Sequence, residues 1–233
     1  MRSRWRIAHA APGSATTHRR APALLLALVV LAALGCAGQR HGHHEHQFRD
    51  AERWARVFDD PARDAWQKPD EVVRALAMPA DAVVADIGAG TGYFAVRLAR
   101  AVPRGHVYAA DLEPDMVRYL ADRARREGLA NLSAVQAAPA DARLPRPVDV
   151  ALVVNTYHHI ADRPGYFRGL QTSLRPGGRV AIVDFLPDAP AGPPREARIP
   201  AAVVKEEMGR AGYGLVAEHT FLPYQYFLVF ARQ

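Results

Sequence analysis

The stretch from Val83 to Tyr93 constrains this chain more than any other part of its sequence. It begins with a short apolar run that contains one acid near its end, which is typical of a strand covered on both faces. A turn with a glycine at every second position follows, and apolar residues at helical spacing then continue to Ala101. The three glycines are Gly88, Gly90 and Gly92. We therefore predict a buried strand, a turn open to a ligand, and a helix whose first N–H groups face that ligand.

Two kinds of nucleotide ligand compete for such a turn. A dinucleotide-binding turn has the pattern Gly-x-Gly-x-x-Gly, and its last glycine would fall at position 93, which is Tyr93. Asp86, near the end of the strand, would also repel a pyrophosphate, whereas it suits a ligand with a cationic end. The stretch resembles motif I of the class I S-adenosylmethionine (SAM)-dependent methyltransferases. This resemblance implies that Asp86 and the three glycines bind the methionine end of SAM.

The next strand supplies the second half of the predicted cofactor site. It covers residues 105–111 and ends at Asp111, 19 residues after Gly92, where an acid can accept hydrogen bonds from both ribose hydroxyls. The resemblance implies that Leu112 and Met116 lie against the adenine. It also implies an adenine-binding acid in the loop 137–145, and Asp141 is the candidate, although it precedes the Leu-Pro pair by three residues where four are usual.

We expect catalysis at the tip of the fourth strand, residues 148–154. Ligands of open α/β sheets bind beyond the carboxyl ends of the strands, and by position this tip corresponds to the family's motif IV, beside the transferring methyl group. Asn155 is assigned to the cofactor site. The candidate bases for the acceptor's proton are Tyr157, His158 and His159. Adjacent histidines point in different directions, so we expect only one of them to face the cleft; an acceptor that is already anionic would need no base.

The order of the predicted elements indicates an α/β fold. Strands are predicted at residues 83–87, 105–111, 131–136, 148–154, 180–185, 213–221 and 224–230. Helices are predicted at residues 50–58, 69–77, 93–101, 112–127, 165–174 and 199–211, with turns at 66–69 and 175–179 and a proline-rich loop at 187–200. The resemblance covers about residues 70–232. It implies a Rossmann-like seven-stranded, mostly parallel sheet with a C-terminal antiparallel hairpin and helices on both faces.

The first 49 residues predict export. Arg19 and Arg20 precede an apolar segment that is too short for a comfortable membrane span and ends at Cys36, which resembles the lipidated residue of a lipoprotein processing site. We predict a signal peptide or lipoprotein-type anchor at 1–36, a His-rich linker at 37–49 and a methyltransferase domain with N-terminal capping helices at 50–233. The location is then the bacterial cell envelope, lipid-anchored or periplasmic. If the start codon lies further downstream, the location is cytoplasmic.

Charge and cysteine content narrow the class of partner. Residues 1–49 hold seven arginines and one acid, which leaves 23 basic and 23 acidic residues in the remainder. That neutral remainder has no excess charge for a phosphate backbone, so we predict a small-molecule methyl acceptor, no nucleic acid, and membrane association only through the N-terminus. A single cysteine excludes an intrachain disulfide and a cysteine-based metal cage.

Three functions compete at this point. The first is a SAM-dependent methyltransferase with an unidentified, small-molecule acceptor. The second is a SAM-binding module without chemistry, and the third is a periplasmic metal-handling lipoprotein that uses the histidines of residues 41–46. We favour a flexible tether for those histidines and assign no metal site. Export also conflicts with the first function, because SAM is made in the cytoplasm.

Overall fold

A seven-stranded sheet runs through residues 50–233, the part of the chain that the structure, a computed structural model, describes. The predicted signal, Cys36 and the His-rich linker lie outside these residues. The strand order is β3-β2-β1-β4-β5-β7-β6. The strands are β1 Val83–Ile87, β2 His106–Asp111, β3 Leu132–Gln136, β4 Val148–Val154, β5 Leu174–Phe185, β6 Tyr213–His219 and β7 Gln225–Arg232.

The sheet is parallel except at one edge. Strand β1 pairs in parallel with β2 and β4, and the parallel ladder continues to β3 on one side and β5 on the other. Strand β7 inserts antiparallel between β5 and β6. The predicted mostly parallel sheet with a C-terminal antiparallel hairpin is confirmed. Because β1 to β5 point the same way, their carboxyl ends meet along one edge.

Helices cover both faces of this sheet. They are α1 Ala51–Phe58, α2 Asp64–Gln67, α3 Pro69–Ala75, α4 Ala95–Ala101, α5 Pro114–Arg126, α6 Arg163–Leu170 and α7 Ala201–Arg210. Along a strand, successive side chains point to opposite faces: Val84 packs with apolar residues of α3, α4 and α5, whereas Val83 and Ala85 pack with those of α6 and α7. No helix within residues 50–233 is long and apolar enough to cross a membrane.

The N-terminal segment, residues 61–67, makes polar contacts with Tyr93, which lies just before α4. The Tyr93 hydroxyl donates a hydrogen bond to Asp64 of α2, and the guanidinium carbons of Arg63 and Arg97 lie 4.2 and 4.3 Å from the centroid of the Tyr93 ring. A turn was predicted at residues 66–69, but Trp66 and Gln67 end α2 and Pro69 begins α3. The change of direction falls at Lys68, whose φ of 43° lies in the left-handed region.

The largest difference from the predicted elements lies in the fifth strand. A turn was predicted over residues 175–179, but Leu174–Phe185 is one strand. Leu174 pairs with Val148 and Arg179 pairs with Val150, so the Pro-Gly-Gly segment bulges out of a ladder that resumes after it. The helix predicted over 165–174 is α6, which ends at Leu170, followed by a 3-10 turn over Gln171–Ser173. It cannot include Leu174, because that residue already belongs to the sheet.

Candidate active site

The carboxyl ends of four neighbouring strands bring the polar residues of the site together. Asp86 lies near the end of β1, which pairs with β2 and β4, and Asp111 is the last residue of β2. Asn155 directly follows β4, and its backbone N–H donates to the carbonyl of Val183 on β5 at 2.9 Å. Asp184 comes next on β5. Parallel pairing therefore places residues that are up to 98 positions apart in sequence at one edge.

The glycine turn after β1 has backbone angles that residues with a side chain rarely adopt. Its φ values are 72° at Gly88, 56° at Gly90 and 93° at Gly92. A Cβ atom on Gly88 would come within 2.2 Å of the Thr156 hydroxyl, so this glycine lets the tip of β4 approach the turn. At Gly90 a Cβ atom would lie 3.4 Å from the Phe58 ring. Helix α1 therefore covers the turn from outside the sheet.

Asp111 is held against the glycine turn by backbone donors. Its Oδ2 accepts from the N–H of Gly90 at 2.7 Å, and its Oδ1 accepts from the N–H of Glu113 at 2.9 Å. Burial raises the pKa of Asp111, and these N–H donors oppose that rise. Each carboxylate oxygen keeps further lone pairs for a ligand, so the side chain can still accept from a ribose.

Asp86 is the most perturbed acid of the site. It is 3% exposed, and its Oδ2 has no hydrogen-bond partner among residues 50–233. Burial, together with the charge of Asp111, raises its pKa to about 7, although the Ala95 N–H lowers it. An unpartnered carboxyl oxygen at the start of a strained glycine turn fits a ligand with a cationic end. The residues present therefore fit SAM, whose methionine end is cationic.

The predicted adenine contacts have three different environments. Met116 is buried in α5, and Leu112 is 49% exposed beside the end of β2. The carbonyl of Leu112 accepts from Gln136 at 2.7 Å. Asp141 is exposed in its loop, where its carboxylate accepts from the N–H of Arg143 at 2.8 Å.

His158 forms a pair with Asp184. Its Nδ1 lies 2.9 and 3.0 Å from the two carboxylate oxygens, and its backbone N–H lies 3.3 Å from one of them. Both side chains are buried, with 5% and 3% of their surface exposed. A carboxylate at Nδ1 selects the tautomer that carries its proton there, which leaves Nε2 as an acceptor. The position of Asp184 at a strand end was visible in the sequence, but its contact with His158 was not.

The other two candidate bases have different surroundings. The Tyr157 hydroxyl donates to Glu207 at 2.7 Å, and Arg163 binds the same carboxylate at 2.6 Å. Burial and the bond to Glu207 raise the pKa of Tyr157. The residue therefore stays a neutral phenol, which cannot take a proton from the acceptor. His159 is exposed, and its ring centroid lies 4.2 Å from that of His158. The Asp184 carboxylate leaves His158 Nε2 as a proton acceptor, whereas the Glu207 carboxylate takes up the hydroxyl proton of Tyr157.

Two buried glutamines were not predicted as part of the site. Gln67 of α2 donates to Gln225 of β7 at 3.1 Å, and Gln225 donates to the carboxamide oxygen of Asn155. Neither glutamine lies in a motif, and they are 158 residues apart, so no local signal identifies them. Within residues 50–233, no group of three or more His, Cys, Asp or Glu side chains is arranged to hold a metal ion.

Comparison with known proteins agrees with this geometry. Residues 84–178 match the family model Methyltransf_25, which describes a methyltransferase domain. This segment contains Asp86, Asp111 and His158. The match agrees with the predicted methyltransferase domain over that segment.

Curated relatives match over a similar fraction of the chain. The ubiquinone/menaquinone biosynthesis C-methyltransferase UbiE of Pseudomonas putida is 34% identical over 108 residues, which are 44% of this chain and 41% of that protein. The protein of the same name from Vibrio campbellii is 30% identical over 105 residues, 44% of this chain and 40% of that protein. The chain therefore spans about two fifths of the length of these relatives.

Solved structures share the fold over a longer stretch. A SAM-dependent methyltransferase from Aquifex aeolicus superimposes with a TM-score of 0.72 at 24% identity, covering 78% of this chain and 97% of that one. The magnesium protoporphyrin IX methyltransferase of Synechocystis, solved with bound SAH, gives 0.61 at 19% identity, covering 78% and 93%. The fold is that of SAM-dependent methyltransferases, which confirms the predicted fold.

Proposed function

We propose that this protein is a SAM-dependent methyltransferase whose acceptor is a small molecule and whose base is His158. The single observation that carries the proposal is the convergence at one sheet edge of the glycine turn, Asp111 and the His158–Asp184 pair. Asp86 and the turn would hold the methionine end of SAM, and Asp111 would hold the ribose. Leu112 and Met116 would lie against the adenine.

The chain's own residues would position the acceptor and remove its proton. SAM, when bound, supplies an electrophilic methyl group. His158 Nε2 takes the proton from an acceptor hydroxyl, thiol or amine, and Asp184 holds the ring and stabilises its charge after protonation. The buried surroundings of this pair keep water from competing with the acceptor.

A small acceptor is favoured by the charge of the chain. The 23 basic and 23 acidic residues that follow residue 49 leave no excess charge for a nucleic acid. The UbiE proteins are C-methyltransferases of ubiquinone and menaquinone biosynthesis, and this likeness supports a small organic acceptor. We also propose that residues 1–36 direct the protein to the cell envelope, on the pattern of paired arginines, apolar segment and Cys36.

The proposal is tested by SAM binding and by SAH formation. We expect the full chain to bind SAM in calorimetry and to release SAH with at least one member of a panel of phenols, thiols and amines. In His158→Asn, the new amide can still donate to Asp184 but no base remains, so kcat should fall by roughly 100-fold or more. The SAM dissociation constant should stay as in the wild type.

Two outcomes contradict different parts of the proposal. Absence of SAM binding at high micromolar concentration in a folded protein rejects the methyltransferase. An unchanged kcat in His158→Asn rejects only the histidine base, and it points to an acceptor that is anionic before it binds.

A further inference from the structure

A chain of four polar side chains connects the N-terminal segment to the tip of β4. Arg63 Nε donates to the carboxamide oxygen of Gln67 at 3.0 Å, and its Nη2 reaches the same oxygen. Gln67 Nε2 donates to Gln225 Oε1 at 3.1 Å. Gln225 Nε2 donates to Asn155 Oδ1. The two glutamines are 0% and 2% exposed, so water does not compete for these bonds.

The direction of every bond in this chain is set at its first member. A guanidinium has five N–H donors and no acceptor, so only the oxygen of Gln67 can face Arg63. The amide nitrogen of Gln67 must then face Gln225, which has to present its own oxygen in return. By the same step, Gln225 presents its nitrogen to Asn155. A side-chain amide has nearly the same shape after its oxygen and nitrogen exchange places. Its orientation is therefore determined by its hydrogen-bond partners.

Asn155, the last member, is therefore left with a defined polarity. Its oxygen is turned toward Gln225 by the hydrogen bond that it accepts, and its Nδ2 donates to no residue among 50–233. The residue is half-buried and has a left-handed φ of 54°, at the carboxyl end of β4. Its backbone N–H is already bonded to Val183. The part of the Asn155 side chain that Gln225 does not bind is therefore a pair of N–H donors.

We infer that Asn155 is a specificity-determining residue that binds an oxygen acceptor of the bound ligands, and that Arg63 sets this preference from a distance. The inference rests on the proposed function, because it concerns the same cleft. The ligand group is a carboxylate, phenolate or carbonyl oxygen. Either the carboxylate of SAM or an oxygen next to the reacting atom of the methyl acceptor supplies it. A ligand group that can only donate, such as an ammonium, is disfavoured at this point.

The polarity can be reversed by one isosteric change far from the cleft. In Gln67→Glu, the carboxylate pairs with Arg63 but cannot donate to Gln225. Gln225 then turns its nitrogen toward residue 67 and its oxygen toward Asn155, and Asn155 turns its oxygen to the cleft. Gln225→Glu reverses Asn155 directly and serves if the first variant is unstable. Arg97→Lys is the matched control, because Arg97 also lies against the Tyr93 ring but makes no contact with Gln67.

The first measurement is hydrogen exchange of the side-chain amides by NMR in the full chain without ligand. We expect slow exchange for the amides of Gln67 and Gln225 and fast exchange for that of Asn155. In Gln67→Glu the Asn155 amide should become slow. A slow Asn155 amide in the wild type, with a fast one at Gln225, overturns the inference whether or not the protein is a methyltransferase.

The second measurement identifies the source of the oxygen. Protection of the Asn155 amide by SAM but not by decarboxylated SAM assigns it to the SAM carboxylate. Protection only when 4-nitrophenolate is added to the SAH complex assigns it to the methyl acceptor. The protecting probe should bind at least about tenfold more weakly to Gln67→Glu, the loss of one charge-assisted hydrogen bond, and unchanged to Arg97→Lys. If no probe protects Asn155 although SAM binds, the inference is wrong; if SAM does not bind at all, the proposed function fails first.

Discussion

At the scale of single residues, the site depends on two buried acids that lie close together. Asp111 ends β2 and Asp86 lies one residue before the end of the neighbouring strand β1. The charge of Asp111 contributes to the raised pKa of Asp86. Such an arrangement costs stability in the free protein. A cationic ligand removes that cost, because it favours the ionised form of Asp86. Binding and ionisation are therefore coupled.

We predict that SAM binds more tightly as the pH rises through the pKa of Asp86. With that pKa at about 7 in the free protein, and much lower beside the bound cation, the dissociation constant should fall by about tenfold between pH 6 and pH 8 and then level off. Titration calorimetry in two buffers of different ionisation enthalpy should detect the proton that is released. The Asp86→Asn variant should bind with no such pH dependence.

The stability of the free protein should respond to pH in the opposite direction. Because the pKa of Asp86 is higher in the folded state than its ordinary value of 3.8, the folded state holds a proton that the unfolded state has released. The free energy of unfolding contributed by Asp86 therefore falls as the pH rises from about 4 to about 7, and it is constant above that. Urea unfolding of wild type and Asp86→Asn measures the difference. Equal pH profiles for the two proteins would contradict a raised pKa.

At the scale of elements, one arginine joins three of them around the glycine turn. Arg123 of α5 donates to the Thr91 carbonyl in the turn and to Asp59 at the end of α1, both at 2.9 Å. It also bonds Glu127 at 2.8 Å within its own helix. Its side chain is 17% exposed, so these bonds are largely shielded from water. Helix α1, which covers Gly90, is held to the turn by this contact.

We predict that Arg123→Met lowers the free energy of unfolding by about 2 to 4 kcal/mol, because it leaves the buried Thr91 carbonyl and Asp59 without this donor. SAM binding should weaken as well, since the turn loses a support. Arg125→Met is the matched control on the same helix, because this arginine is 73% exposed and its one ion pair within residues 50–233 is with Asp122. That change should alter stability by less than about 0.5 kcal/mol. Similar losses in the two variants, measured by urea unfolding, would mean that the turn does not depend on Arg123.

At the scale of the whole molecule, the proposed signal at residues 1–36 would determine the compartment in which the cleft works. The envelope location that we propose rests on residues 19–36, which lie outside the part of the chain that the structure describes. A cleft built for SAM and a signal for export make opposite demands on location, because SAM is made in the cytoplasm. The location must therefore be determined from the processed N-terminus of the protein in cells, because the fold does not reveal it.

We predict that mass spectrometry of the protein from the cell membrane fraction finds a mature chain that begins at Cys36 and carries lipid. The thiol of this residue is the expected attachment point, so Cys36→Ser should stay unlipidated and keep its signal. An N-terminal peptide from upstream of Cys36 in the mature wild type would exclude lipidation there. A chain that starts downstream of residue 36 without lipid would favour the alternative start codon.

The sequence by itself determined the framework of the cleft, because its signals are local. An apolar run, alternating glycines and an acid at the end of each of two strands need no distant partner to be recognised. The strand over residues 148–154 was predicted with the bounds that the structure has, since its apolar run is bounded by a proline and by polar residues. The order of elements then placed Asp86, Asp111 and the β4 tip at one edge.

Only the tertiary structure decided which side chains act together. The choice of His158 over Tyr157 depends on Asp184 of β5 and Glu207 of α7, which are distant in sequence from both candidates. The polarity of Asn155 depends on an arginine 92 positions earlier in the chain. Hydrogen-bond partners of this kind are chosen by packing between distant elements, and a buried amide or imidazole takes its orientation from the partner that it meets.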